Sequence, residues 1–202
     1  IALFNYAHMP HMFMPQRRID ESAMPTPQEK LNILEHSIHK LLDAGYVFIG
    51  MDHFAKPEDE LTISQQNGKL YRNFQGYSTQ ADCDLIGLGV TSIGYVGGGF
   101  FQNEKEMDPY AEAIDNDQFA VFRGYILSDE DHLRRQVIMR LMCDFALDYT
   151  QFESEFDINF KEHFADGIAD LDEMARDNLV ELREDGLTVL PAGRLLIRNV
   201  AM

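Results

Sequence analysis

The chain has no tryptophan, only two cysteines, and half as many basic side chains as acidic ones (17 Lys and Arg against 34 Asp and Glu). Each shortage excludes something. Cys83 and Cys143 lie far apart and admit at most one disulfide, and without a dense cysteine framework a reducing, cytoplasmic setting fits better than a secreted one. A net charge of −17 argues against nucleic acid or an anionic membrane as the main partner, because both need clustered Lys and Arg. No apolar run approaches the roughly 18 residues that a transmembrane helix needs, and no signal peptide is visible. An anionic ligand would have to be held by local cations against an unfavourable overall field.

What is present is ordinary globular material: 202 residues, 45% of them hydrophobic and 25% charged. That length buries one substantial core, or one core and a small satellite domain. The chain begins inside the apolar run Ile1–Phe4 and stops inside another, Arg194 to Met202, as expected of a piece of a larger protein.

Along the chain, Ile1 to Tyr6 reads as a short buried strand. Thr26, Pro27 and Glu29 form an N-cap, a first-turn proline and a capping box. Behind them Leu31, Leu34, Ile38, Leu41 and Leu42 make one apolar helical face, closed by Gly45. Tyr46 to Gly50 reads as a second buried strand, and strand, helix, strand with short joints predicts a parallel pair. A polar helix from about Glu58 to Gln66 follows, then a strand from Leu85 to about Val96. The triple glycine 97–99 breaks that strand; lacking a helix-opening context, it reads as a turn and not as a phosphate cradle.

Glu104 to Asn116 reads as helix and Ala120 to Leu127 as extended. Ser128 and Asp131 cap an amphipathic helix carrying Leu133, Val137, Ile138, Leu141 and Met142. A composition shift there places a domain boundary between 1–127 and 128–202. Toward the end, a helix around Ile168 to Ala175 precedes a hairpin through Glu184-Asp185-Gly186. Pro191 starts a final helix with Leu195 and Leu196 facing inward. Helix, hairpin, helix is winged-helix-like, but its acidic helices argue against DNA.

Two constellations stand out for chemistry. His8, His11, Asp52 and His53 offer metal-ligand types, yet no His-Glu-x-x-His pattern or paired cysteine accompanies them, so hydrogen-bonded structural residues are the stronger reading. The other is Tyr71-Arg72-Asn73-Phe74-Gln75-Gly76-Tyr77-Ser78-Thr79-Gln80. It follows neither the helical nor the strand period, and its aromatics are interleaved with hydrogen-bonding side chains. A ligand-lining loop at the mouth of an α/β sheet needs that mixture; a loop pinned by packed tyrosines is the equal alternative. Tyr6-Ala7-His8, Met51-Asp52-His53 and Ser92-Ile93-Gly94 fall near the carboxyl ends of predicted strands, where parallel α/β folds bind ligands. Met9, Met12 and Met14 lie past the same edge, and thioethers adapt to flat apolar surfaces.

Taken together, Phe4-Asn5-Tyr6-Ala7-His8, Phe48 to Ala55, Arg72 to Gln80, Asp84-Leu85, Gly87 to Val90 and Gly193 to Asn199 resemble the carboxyl-terminal part of the oxygen-independent coproporphyrinogen III oxidases, a radical S-adenosylmethionine family. The resemblance implies an α/β fold: the C-terminal portion of an incomplete (β/α)6 barrel, followed by a mostly helical, winged-helix-like domain. It implies S-adenosylmethionine and a [4Fe–4S] cluster in the full-length protein, and a 5′-deoxyadenosyl radical that converts two propionates of coproporphyrinogen III to vinyls. The product is protoporphyrinogen IX, in haem biosynthesis; an electron donor and acceptor are also needed.

By resemblance, Ala7 and Ile93 line the S-adenosylmethionine site, and Gln75 lies in the same cavity, serving a second S-adenosylmethionine or the substrate. The family's Cys-x3-Cys-x2-Cys cluster motif is not in this sequence, so no cluster and no activity are expected of this piece alone. Arg72 is the favoured clamp for a substrate carboxylate, since a guanidinium grips carboxylate bidentately; Lys56, Arg17 and Arg18 are further candidates. Two other readings stand beside the oxidase. A haem-binding carrier of the same superfamily would bind haem tightly without turnover. A free-standing winged-helix module would show salt-sensitive DNA binding.

Overall fold

Local chemistry specifies the first long helix, α1 (Pro27–Asp43). The Thr26 hydroxyl accepts from the Glu29 N–H at 3.3 Å, and the Glu29 carboxylate accepts from the Thr26 N–H at 2.8 Å. Gly45, with φ +77°, ends it as expected. The computed structural model describes residues 1–81 and 83–202, which divide into two compact units, Ile1–Asn67 and Gly68–Met202.

In the first unit, two short 3-10 turns (Met14–Arg18 and Glu21–Ala23) precede α1. After it come β1 (Val47–Gly50), β2 (His53–Ala55) and α2 (Glu60–Gln66). The expected parallel pair is replaced: β1 pairs with β2 in antiparallel sense. Gly50 at φ 151° and Met51 at φ 53° reverse the chain at once, so the nearest strand edge is the one that follows. The expected strand Ile1–Tyr6 is reduced to a bridge between Ala2 and His53, and Ile1, Phe4 and Tyr6 are exposed. The apolar face of α1 is not core either. None of its residues is fully buried: Leu31 and Leu42 are exposed, and Leu34, Ile38 and Leu41 are half-buried.

The second unit opens with a small hairpin, β3 (Tyr71–Arg72) and β4 (Tyr77–Ser78). Next comes an antiparallel sheet of β5 (Ile93–Val96), β6 (Gly99–Asn103) and β7 (Val121–Ile126), with α3 (Met107–Asp115) between the last two strands. The long strand expected from Leu85 shrinks to β5, because Gly89 and Thr91 take positive φ (93° and 63°); Leu85 keeps one bridge, to Tyr95. Gly97 and Gly98 (φ 56° and 80°) make the predicted turn.

Ser128 and Asp131 form the predicted capping box of α4 (Asp129–Asp144). Phe145 ends this helix in left-handed geometry and the chain enters β8 (Ala146–Asp148). Three helices follow, α5 (Tyr149–Phe156), α6 (Phe160–His163) and α7 (Ala165–Arg176). The predicted hairpin is β9 (Val180–Leu182) and β10 (Gly186–Val189), in a sheet ordered β8-β10-β9. The core lies here: Leu133, Cys143, Leu147, Phe152, Phe160, Val180, Leu187 and Val189 are buried, and Tyr149 stacks on Phe160 at 4.4 Å.

The final helix is two short ones, α8 (Pro191–Arg194) and α9 (Ile197–Val200). Leu196, at φ −109°, interrupts the run, which rotates Ile197 and Val200 inward and leaves Leu195 and Leu196 exposed, the reverse of the periodic expectation. No closed barrel is present among the described residues.

Candidate functional site

A cavity of about 460 Å³ lies in the second unit, between the β3–β4 hairpin, the β5–β6 sheet and α4. Its hairpin wall is the aromatic loop singled out in the sequence. Asn73 shapes that loop: its side-chain oxygen accepts from the N–H groups of Gln75 (2.9 Å) and Gly76 (3.2 Å), a turn that asparagine favours. The Tyr77 hydroxyl donates to the Met142 carbonyl at 2.9 Å, and the Arg72 N–H donates to the Met139 sulfur at 3.2 Å, so the hairpin is fastened to α4 at two points.

The sheet wall contributes Gly94, Tyr95 and Phe100. Tyr95 and Phe100 rings are 4.8 Å apart, and Phe74 meets Phe100 edge-on at 5.5 Å. Gly94 is needed for close approach: a Cβ there would sit 2.7 Å from the Leu85 carbonyl oxygen. The preceding loop is held by Asn103, whose side-chain amide donates to the carbonyls of Gly87 (3.0 Å) and Gly89 (2.9 Å).

The third wall is α4, with Arg135, Ile138, Met139 and Met142. The Arg135 guanidinium packs over Tyr95 (4.7 Å), Tyr71 (5.5 Å) and Phe100 (5.9 Å) and donates to the Tyr71 hydroxyl. Arg72 lies over Tyr77 at 5.5 Å, and its Nε is buried without a hydrogen-bond partner among the described residues. Nearby, Arg140 grips the Leu70 carbonyl (3.2 Å) and Asp144 (2.7 Å). Burial raises the Asp144 carboxyl above its ordinary range, against the pull of Arg140. Burial likewise pushes the Cys143 thiol up to about 12, so it stays protonated.

The expected site residues fall in different places. Arg72 lines the cavity. Gln75 sits at the exposed tip of the hairpin, outside the lining. Ile93 is half-buried at the start of β5, paired with Gln102 and next to the lining residue Gly94. Ala7 belongs to the first unit, exposed, its carbonyl accepting from the Gln16 side chain at 3.1 Å. Lys56 closes the end of α1 by donating to the Ala44 carbonyl (2.6 Å), and Arg17 donates to the Pro10 carbonyl (2.8 Å). Arg18 is exposed. Arg135, Tyr95 and Phe100 were not among the expected residues. The signal for Arg135 was available, since it stands three and four positions before Ile138 and Met139 and shares their helical face.

His8 contacts Glu21 at 3.1 Å and His53 contacts Asp52 at 3.0 Å. Among the described residues no three His, Cys, Asp or Glu side chains are grouped to hold a metal ion. None of the described helices is long and apolar enough to cross a membrane.

Comparison with known proteins agrees along the whole chain. Residues 127–196 match the family model of the HemN C-terminal domain. The chain is 46% identical over 202 residues to the oxygen-independent coproporphyrinogen III oxidases of Salmonella typhimurium (strain LT2) and Escherichia coli (strain K12), covering 100% of itself and 44% of each relative. A solved structure, described as coproporphyrinogen III oxidase (HemN) from Escherichia coli, a radical SAM enzyme, superposes with a TM-score of 0.95 at 47% identity. That match covers 100% of this chain and 46% of the other. The chain thus spans less than half the length of these relatives.

Proposed function

We propose, from the premise that this chain belongs with the oxygen-independent coproporphyrinogen III oxidases, that it is the part of such an enzyme that builds one wall of the tetrapyrrole site. The reaction is oxidative decarboxylation of two propionates of coproporphyrinogen III to vinyls, in the cytoplasm, with an electron donor and an acceptor. The observation that carries this reading is a likeness running from Ile1 to Met202 without a gap in coverage. Within it, 1–127 is read as the last part of the incomplete (β/α)6 barrel and 128–202 as the winged-helix-like domain.

The residues here do not fit the iron–sulfur cluster. Thiolates are its ligands, whereas Cys83 and Cys143 lack the required spacing, and the Cys143 thiol is buried and protonated. S-adenosylmethionine fits better, and when bound it supplies the radical with which the family's reaction begins. Toward it Ile93 offers a half-buried apolar side chain at the start of β5. Gln75 offers an exposed amide that both donates and accepts. Ala7, which lies in the first compact unit, is assigned to it by the family resemblance alone. Arg72 lines the cavity, and its guanidinium is the group that grips a propionate carboxylate.

The test is anaerobic turnover by the full-length protein with reductant, S-adenosylmethionine and coproporphyrinogen III. We expect protoporphyrinogen IX, read by fluorescence after oxidation, and a raised KM for Arg72→Ala. A reconstituted protein that forms no vinyl product would refute the oxidase reading; an unchanged KM for the variant would refute the role of Arg72.

A further inference from the structure

We propose that Arg135 is a second carboxylate-binding residue, and that the cavity between the β3–β4 hairpin, β5–β6 and α4 seats one propionate-bearing pyrrole edge of the substrate between Arg72 and Arg135. The identity of the ligand rests on the oxidase reading above; the two-arginine site itself rests on the cavity.

The argument begins with charge. The chain carries −17 overall with only 17 Lys and Arg, so two guanidinium groups lining one cavity are a concentrated exception. Arg72 reaches it from the hairpin and Arg135 from α4. Arg135 makes no ion pair with a carboxylate among the described residues; its contacts are three aromatic rings and the Tyr71 hydroxyl. A guanidinium has five N–H donors, and one bond to a tyrosine leaves the rest for an incoming ligand. Arg72 adds a buried Nε without an acceptor among the described residues. Two guanidinium groups lining one cavity, beside aromatic and thioether side chains, can grip a carboxylate through charge-assisted hydrogen bonds.

The walls describe the rest of the ligand. Tyr71, Tyr95 and Phe100 offer ring faces and edges to a flat aromatic group. Met139 and Met142 supply adaptable thioether surface from α4. A volume of about 460 Å³ is that of a small-molecule site, suited to one edge of a macrocycle. Asp84 also lines the cavity, but it is exposed and its Oδ1 accepts from the Gly97 N–H at 3.4 Å. It therefore favours ligands whose carboxylate lies deep, against the arginines, over those with a carboxylate at the mouth.

The experiment uses the full-length protein, with coproporphyrin III as a fluorescent tetracarboxylate probe and its tetramethyl ester as the uncharged control. Arg135→Gln weakens binding of the acid by about tenfold or more, the scale of one charge-assisted hydrogen bond, and leaves the ester unchanged. Arg135→Lys recovers part of the loss. Ile138→Trp narrows the cavity from a half-exposed position without removing charge, and weakens acid and ester alike. Equal binding of the acid by the wild type and Arg135→Gln overturns the proposal, as does an equal loss for acid and ester. If Arg135→Gln does not fold, Ile138→Trp decides, and unchanged probe binding overturns the site.

Turnover measured in parallel separates the two readings. Selective loss of acid binding by Arg135→Gln in a protein that turns over no coproporphyrinogen sinks the oxidase and keeps the site. Normal turnover with acid binding intact in Arg135→Gln does the reverse.

Discussion

The two compact units are held by unequal means. In Ile1–Asn67 the ends of α1 are closed with care, by Thr26 and Glu29 at one end and Gly45 and Lys56 at the other. Yet no residue of α1 is fully buried, and the unit's buried apolar residues are Ile49, Phe54 and Ala55. Gly68–Met202 contains the same capping chemistry at Ser128 and Asp131, but there the capped helix also buries Leu133, Met139, Leu141, Met142 and Cys143. The contrast separates two things that sequence patterns tend to merge. A cap decides where a helix starts; only burial against other elements gives most of its stability. The predicted face of α1 is thus exposed at Leu31 and Leu42 and only half-buried at Leu34, Ile38 and Leu41.

The largest expected effect tests that contrast directly. Phe160→Ala removes a ring at 2% exposure, stacked on Tyr149, and costs about 3–5 kcal/mol in urea unfolding. Leu31→Ala, at 57% exposure, changes stability by no more than about 0.5 kcal/mol. Comparable losses for the two would erase the distinction between the units.

Caps give a smaller effect. Ser128→Ala and Thr26→Ala each lose about 1 kcal/mol of helix stability. The first is read in global unfolding, because α4 is part of the core. The second is read in faster amide exchange of α1 with little change in the unfolding midpoint; a shared global shift would show that α1 is coupled to the core.

The smallest effect is acid sensitivity. The Asp131 carboxyl is held below its ordinary range by the Ser128 hydroxyl, then by the Ser128 N–H and Tyr125, and Glu29 is lowered first by the Thr26 N–H and then its hydroxyl. A lowered carboxyl stabilises the fold above its unfolded pKa, and that contribution is lost as pH falls through the folded one. Asp144 runs the other way. Its raised pKa favours the protonated form, and this preference is lost as pH rises through the folded value. Denaturation across the acid range should therefore show a shallower acid loss for Asp131→Asn than for the wild type, and a steeper one for Asp144→Asn.

How much of this was legible in the sequence follows the same division. Both capping boxes, the turn at Gly97 and Gly98 and the hairpin ending at Gly186 were readable, because each is settled by chemistry within a few residues. Ile1–Tyr6 and Leu195–Leu196 misled, because an apolar run states only that burial would be favourable. One backbone interruption at Leu196 was enough to invert which side chains face inward. The cavity was half legible. The aromatic loop and Arg72 were marked by composition, while Tyr95, Phe100 and Arg135 were not, since what unites them is the approach of β5, β6 and α4 in space.

Phe145 carries a consequence for that approach. It occupies the left-handed position after α4 (φ 58°), where glycine is the common occupant. Its ring is 3% exposed beneath the Arg194 guanidinium at 4.7 Å, and its carbonyl accepts from the Val189 N–H at 2.7 Å. The joint therefore acts as a keyed coupling. Backbone ease is given up for a buried ring, which ties the end of α4 to Arg194 and Val189. Positions 135, 138, 139 and 142 share one side of that helix, so the cavity's α4 wall is continuous with an anchor outside the cavity lining.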